Sequence, residues 1–230
     1  LYLSNTDDDR HLAGYLIHRD SDLGTGTRRT HYGFRAIGEW LPQQESWLEL
    51  SVMNGRTGLT SNRAWAIDLG STWQFHEYFA VTAGWALGQG DDHGSSTDHT
   101  YRQTGLQDNN GKFAGVTSFR YYGELVDPEL ANMEITTLGI GWLPTRQISL
   151  DLVWHSYQQD ELSTRLVDTD LDRRPNGRNP DIGEELDLVF GWRTPYNLDL
   201  EIVAAWFKPG KAFNNADDAF LGKLQFRYRF

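Results

Sequence analysis

The chain has 230 residues and a formal net charge of −11, from 32 acidic against 21 basic side chains, which argues against a nucleic-acid partner because phosphate backbones demand the opposite sign. It has no cysteine, so disulfides and thiolate metal sites are excluded. Mean hydropathy is −0.57 and no apolar run reaches the ~18 residues of a membrane-crossing helix; a barrel strand, which needs only alternate residues to be apolar, is left open.

In chain order the sequence reads as strands whose successive side chains fall on opposite faces. Segments 1–4 and 11–20 come first. The pattern is already running at Leu1, so we expect an N-terminal part of the barrel to lie outside this chain. In 29–41, Tyr32, Phe34, Ala36, Gly38 and Trp40 alternate with Arg35 and Glu39. Segment 46–54 follows, and in 64–75 Trp65, Ile67, Leu69, Trp73 and Phe75 oppose Asp68 and Thr72. In 78–88, Phe79, Val81, Ala83, Trp85 and Leu87 oppose small residues. After a long gap come 131–142 and 147–158, the latter with Ile148, Leu150, Leu152 and Trp154 on one face. In 183–193, Leu186, Leu188, Phe190 and Trp192 oppose Glu185, Asp187 and Arg193. In 197–207, Leu198, Leu200, Ile202 and Trp206 oppose Asp199 and Glu201. The last segment, 218–230, sets Phe220, Leu224, Phe226, Tyr228 and Phe230 against Lys223, Gln225, Arg227 and Arg229.

About eleven strands of ~10–13 residues are expected, longer than the usual ~5–6 and right for a tilted bilayer crossing. A soluble β-sandwich or lipocalin-like barrel would bury the apolar face as its core; the strand lengths and the charges on the other face oppose it. The fold class is therefore all-β: an antiparallel transmembrane β-barrel of the outer-membrane type, one domain over 1–230.

Connections alternate between short (42–45, 74–77, 144–146, 194–196) and long (20–28, 55–63, 89–130, 159–182, 208–217). Outer-membrane barrels have short periplasmic turns and long extracellular loops. Trp40, Trp73, Phe75, Tyr78, Phe79, Trp142, Trp192 and Tyr196 lie beside the short turns, as an interfacial aromatic girdle should. Residues 112–122 alternate well enough for another strand, but 89–130 is preferred as one extracellular excursion, long enough to be functional, with part of it folded into the pore.

Several blocks are uncommon as a set: Tyr101-Arg102-Gln103-Thr104-Gly105-Leu106-Gln107, Phe113-Ala114-Gly115-Val116, Tyr122-Gly123-Glu124, Glu129-Leu130-Ala131-Asn132, Asp181-Ile182-Gly183-Glu184-Glu185-Leu186-Asp187-Leu188 and Phe207-Lys208-Pro209-Gly210, with Arg229-Phe230 at the end. Together they resemble the alginate-export outer-membrane porin family, clearly from about residue 98 and more loosely before it. The resemblance implies a monomeric barrel of about eighteen strands, of which this chain supplies about the last eleven. It also implies a narrow electropositive constriction and passive export of an anionic polysaccharide, alginate or a similar polyuronate. Outer-membrane lipid and periplasmic polymer-export components would be the other partners. Two departures stand out. The family pattern implies a long last periplasmic loop where this chain has Thr194-Pro195-Tyr196-Asn197, and arginines where it has Asn110 and Glu201. The alternative is a diffusion porin for small organic acids or oligosaccharides.

Candidate substrate-path cations are Arg35, Arg102, Lys112, Arg120, Arg193, Lys223, Arg227 and Arg229, since guanidinium groups pair bidentately with carboxylates. On the last strand the competing reading is internal pairing with Asp199 and Glu201. No cofactor is expected; Asp168, Asp170 and Asp172 form a candidate Ca²⁺ loop, without a Glu to complete an EF-hand, and His93 and His99 lack zinc spacing. No catalytic residues are assigned: Asp151 and His155 share a strand face but sit about 13 Å apart.

Overall fold

A computed structural model describes residues 1–7, 9–21, 26–105, 109–167 and 169–228. Fourteen strands are present among them: β1 (Tyr2–Thr6), β2 (Arg10–Ser21), β3 (Thr27–Leu41), β4 (Gln44–Thr57), β5 (Thr60–His76), β6 (Phe79–Gly88), the two-residue pieces β7 (Thr97–Asp98), β8 (Asn110–Gly111) and β9 (Phe119–Arg120), then β10 (Met133–Thr145), β11 (Ile148–Gln158), β12 (Asp181–Arg193), β13 (Leu198–Pro209) and β14 (Ala219–Tyr228). The eleven longer strands form one antiparallel sheet in the order β1-β2-β3-β4-β5-β6-β10-β11-β12-β13-β14. Each is hydrogen-bonded to its chain neighbour, and β6 pairs β10 across the long excursion from Gly88↔Met133 to Phe79↔Trp142.

The burial pattern inverts that of a soluble sheet. On β12, Leu186, Leu188 and Trp192 are exposed while Glu185, Asp187 and Val189 are buried. The register carries this parity from strand to strand, through Glu185↔Phe207 and Val189↔Val203 on one side and Glu185↔His155 on the other. The exposed side is an apolar band, with Phe34, Leu50, Leu69, Val81, Ile140, Leu152, Ile202 and Leu224 all on it. Apolar groups outward and polar groups inward is the signature of a barrel wall in lipid. Trp40, Trp73, Phe79, Trp142 and Trp192 are exposed beside the short connections, where amphipathic rings settle at the headgroup level.

One expectation changes. The connection expected over 55–63 is only Gly58-Leu59, with Thr57 paired to Thr60. Gly58 takes φ 59°, the positive value a two-residue hairpin loop needs and glycine adopts at little cost. The polar run Asn54, Arg56 and Arg63 therefore does not end the ladder; it marks where these strands rise out of the apolar band. Residues 112–122 do not cross the sheet. The excursion contributes β7, which lies parallel to the start of β5, and the small β8–β9 pair.

The wall reading has a direct stability consequence. Leu188→Arg, at the centre of β12 on the apolar face, is expected to cost about 2–4 kcal/mol in phospholipid vesicles, whereas Gln225→Arg on the opposite face is expected to cost little. Urea titration of the full-length barrel refolded in vesicles measures both.

Candidate functional site

The inner face of β5 and β6 is made largely of small side chains: Ala64, Ala66, Ala80, Thr82 and Ala86 are buried there, and Gly84 is paired with Thr137 of β10. This leaves a hollow, and the excursion fills it. Phe119 packs edge-to-face on Phe113 with centroids 5.2 Å apart. Phe113 stacks on Trp47 of β4 at 6.1 Å. Both phenylalanines sit with Val153, Val189 and Val203 in one apolar cluster. A second cluster joins Tyr122, Val126 and Leu130 of the excursion to Met53, Ile135, Tyr157, Ile182 and Phe207 of the wall.

An irregular segment laid on a sheet face brings backbone N–H groups with no ladder to join, and a buried one without a partner is costly. Wall carboxylates take that role here. Glu185 accepts from the backbone N–H of Leu125 at 2.7 Å and of Val126 at 2.9 Å. Asp187 accepts from the N–H of Glu124 at 3.1 Å. Glu124 in turn accepts from the N–H of Arg120 at 3.1 Å, and its other oxygen binds Lys223 at 3.0 Å. The Tyr157 hydroxyl lies 2.7 Å from the Tyr122 carbonyl, to which it can donate, and 3.1 Å from Glu185. Tyr122 donates to Asp68 at 2.6 Å. Nearer the short turns, Thr117 donates to Glu201 and the N–H of Val116 donates to Ser149. Hydrogen bonds to charged groups contribute about 1.5–3 kcal/mol each, so this set fixes the segment firmly. Gly123 makes the approach possible. Its φ is 114°, outside the range that suits a side chain, and a Cβ there would collide with the Tyr157 hydroxyl.

The sequence-derived cations divide into two groups. Arg120 is paired with Asp127 at 2.8 Å and Asp170 at 3.3 Å, and Lys223 with Glu124 at 3.0 Å and Glu201 at 2.9 Å. Both hold structure together, as the internal-pairing reading has it for Lys223. Arg102 lies where its carbonyl accepts from His31 at 2.8 Å, with one guanidinium nitrogen buried. In contrast, Arg35 borders a cavity of about 540 Å³ between the excursion and the inner face of β2–β5, together with Tyr15, Glu49 and Tyr121. Its contact with Glu49 is a loose 3.7 Å. A neighbouring hollow, which shares Arg35, Glu49 and Tyr121 with it, is bordered by Trp47, Lys112 and Phe113, and a space of about 460 Å³ lies beside Glu39, Gln43 and Glu45 at the short-turn end. Lys112 also meets Arg193 and Arg227 around a smaller hollow at that end. Arg229 lies outside the described residues. The open side of the excursion thus faces β3–β5, and its closed side faces β11–β13, where Val153, Val189, Val203 and Asp187 are fully buried.

In the candidate Ca²⁺ loop, Asp168 lies outside the described residues and Asp170 is engaged by Arg120. Among the described residues the group with metal-compatible spacing is Asp91, Asp92 and His99, in which Asp91 contacts His93 at 2.9 Å and Asp92 accepts from the N–H of Gly94. Burial pushes the Asp127 carboxyl upward, and Arg120 opposes the shift. His155 is buried against Thr137, at 2.9 Å. The anchors Tyr122, Glu124, Glu185 and Asp187 were not among the sequence-derived site residues. Their signal was two acids at alternate positions in the middle of a strand, with no lysine or arginine in step on either neighbouring strand, where Glu185 meets His155 and Phe207, and Asp187 meets Val153 and Ala205.

Comparison with known proteins places these features in context. A family model described as alginate export matches residues 2–226. The "Alginate production protein AlgE" of Azotobacter vinelandii is 32% identical over 141 residues, covering 55% of this chain and 28% of that protein. The protein of the same description from Pseudomonas aeruginosa is 31% identical over 167 residues, covering 67% of this chain and 32% of that one. The chain thus spans about a third or less of the length of these relatives. Among solved structures, the "CymD monoaromatic hydrocarbon channel" matches all of this chain and 72% of its own, with a TM-score of 0.51 and 10% identity. That likeness concerns the fold.

If Glu185 seats the excursion, Glu185→Leu removes the acceptor for two buried N–H groups at a cost of about 2 kcal/mol. The unseated form should become roughly 30-fold more populated, read as faster tryptic cleavage after Lys112 and Arg120. The neighbouring Glu184→Leu, on the exposed face, should leave the cleavage rate unchanged.

Proposed function

The chain belongs to the alginate-export family, and from that premise we propose that it forms the wall and constriction of an outer-membrane conduit for an anionic polysaccharide, alginate or a similar polyuronate. The observation that carries the proposal is the seated excursion, which narrows the inner space on the β11–β13 side and leaves a row of hollows along β3–β5 that share lining residues. Lys112, Arg193 and Arg227 stand around the short-turn end of the excursion. That is the periplasmic end if short turns mark the periplasm, and it is where an exported polymer would arrive. Arg35 follows about midway along β3.

Few cations face this route, and Glu39, Glu45 and Glu49 lie among them. Such a lining suits passage rather than tight binding, since a conducted species must be attracted enough to enter and held weakly enough to leave. The polar walls offer hydroxyl, amide and carboxylate partners to sugar hydroxyls, and Tyr15, Tyr101 and Tyr121 offer ring faces. This reading assigns the residues to conduction and assigns none of them to bond-breaking chemistry.

Planar-bilayer recording of the full-length protein tests the proposal. Added polyuronate is expected to reduce the current. Lys112→Glu and Arg193→Glu should each weaken that block by roughly two- to fivefold, the range for solvent-exposed charge contacts, and Arg174→Glu in the exposed outer loop should not. A cation-selective channel indifferent to polyuronate would overturn the reading.

A further inference from the structure

The lipid-facing side of the wall changes character abruptly on β2–β5. The register sets the outward-facing side chains in rows across these strands. Leu16, Tyr32, Val52 and Trp65 form one row, the top of the apolar band. The next row, about 7 Å further along, is His18, Thr30, Asn54 and Arg63. The row after it is Asp20, Arg28, Arg56 and Ser61. Three arginines on three consecutive strands therefore sit just above the hydrocarbon, over Tyr32 and Trp65. All three are exposed.

Their charges are poorly matched from within. Arg28 is paired with Asp20 at 3.1 Å. Among the described residues, the guanidinium groups of Arg56 and Arg63 have no hydrogen-bond or ion-pair partner. Arg28 and Arg56 stand directly opposite each other, an arrangement of like charges that destabilises a sheet. The patch also runs against the chain as a whole, whose net charge is −11. On β10 and β12 the outward positions at this end carry Glu134 and Glu184 instead, with Lys208 across from Glu184. A local surplus of guanidinium groups at the upper edge of the apolar band needs an anion that is itself held at that edge.

We propose that Arg28, Arg56 and Arg63 form a binding site for the phosphate groups of a phosphorylated glycolipid in the outer leaflet of the outer membrane. Guanidinium groups grip phosphate oxygens bidentately. The acyl chains of the same lipid lie against Val52, Leu50 and Ile67 below, and Tyr32 and Trp65 sit at the boundary between the two parts. The arginines are arranged so that one phosphate can lie between Arg28 and Arg56, relieving their repulsion, while Arg63 reaches it or a second phosphate from the diagonal position. The site is on the outside of the wall, and it stands independently of what passes through the inside.

The test uses the full-length barrel in nanodiscs of zwitterionic phospholipid doped with bis-phosphorylated lipid A, with its dephosphorylated form, or with phosphatidylglycerol. Native mass spectrometry then counts the lipid that stays bound. Wild type should retain the bis-phosphorylated glycolipid and lose the other two. R56Q/R63Q should weaken retention by about 25-fold, at about fivefold per charge removed near a lipid surface, and R63Q alone by about fivefold. K208Q on the other part of the wall should leave retention unchanged. R63Q alters one exposed side chain and serves as the readout should the double variant fold poorly. Equal retention by wild type and R63Q, equal retention of the dephosphorylated glycolipid, or preference for phosphatidylglycerol would each overturn the assignment.

Discussion

Inside hydrocarbon a backbone amide has no water to bond, and an unpaired one costs several kcal/mol. The unbroken antiparallel path from β1 to β6 and on from β10 to β14 answers that constraint, and the other features follow from it. An unbroken ladder fixes which face each side chain takes, so the alternation of Leu186, Asp187, Leu188 and Val189 becomes an alternation between lipid and interior. It also forbids the residues between β6 and β10 from spreading into lipid, where their irregular backbone would be unpaired. They fold against the inner face instead.

On that inner face the same accounting recurs at smaller scale. The excursion's N–H groups at Glu124, Leu125 and Val126 are met by Asp187 and Glu185. Carboxylates satisfy several donors at once and keep the segment in one register, whereas apolar contacts alone would let it slide. Buried acids are costly to desolvate, and here dense hydrogen bonding offsets that cost. Lys223 completes the arrangement by bridging Glu124 and Glu201, which removes it from the set of cations facing the open space. Arg35, Lys112, Arg193 and Arg227 border the hollows beside the excursion.

Much of this was legible in the sequence because period-two alternation is a direct imprint of the wall. Each of the eleven longer strands overlaps a segment read from alternation, Tyr32–Trp40, Trp65–Phe75 and Leu198–Trp206 among them, and the girdle of Trp40, Trp73, Trp142 and Trp192 marks one rim. The hairpin at Gly58 was not legible: Arg56 and Arg63 read as loop polarity, although strands continue well past the hydrocarbon. The roles of Arg120 and Lys223 were only partly legible. Spacing along one chain does not show that Glu124 of the excursion neutralises Lys223, or that Asp127, and Asp170 from the β11–β12 connection, neutralise Arg120. Glu185 and Asp187 looked like interior charges of a wet pore. Their partners are backbone groups, which carry no residue-type signature.

The central claim is that the excursion is seated on β11–β13 and leaves the passage along β3–β5. Cysteine accessibility tests this most directly, since the chain has no cysteine of its own. Single variants I37C, E49C, V189C and V203C would be placed in the full-length barrel and exposed, during bilayer recording, to a small charged thiol reagent. The account predicts that the reagent changes the current through I37C and E49C and leaves V189C and V203C untouched. Equal reaction at all four positions would contradict it.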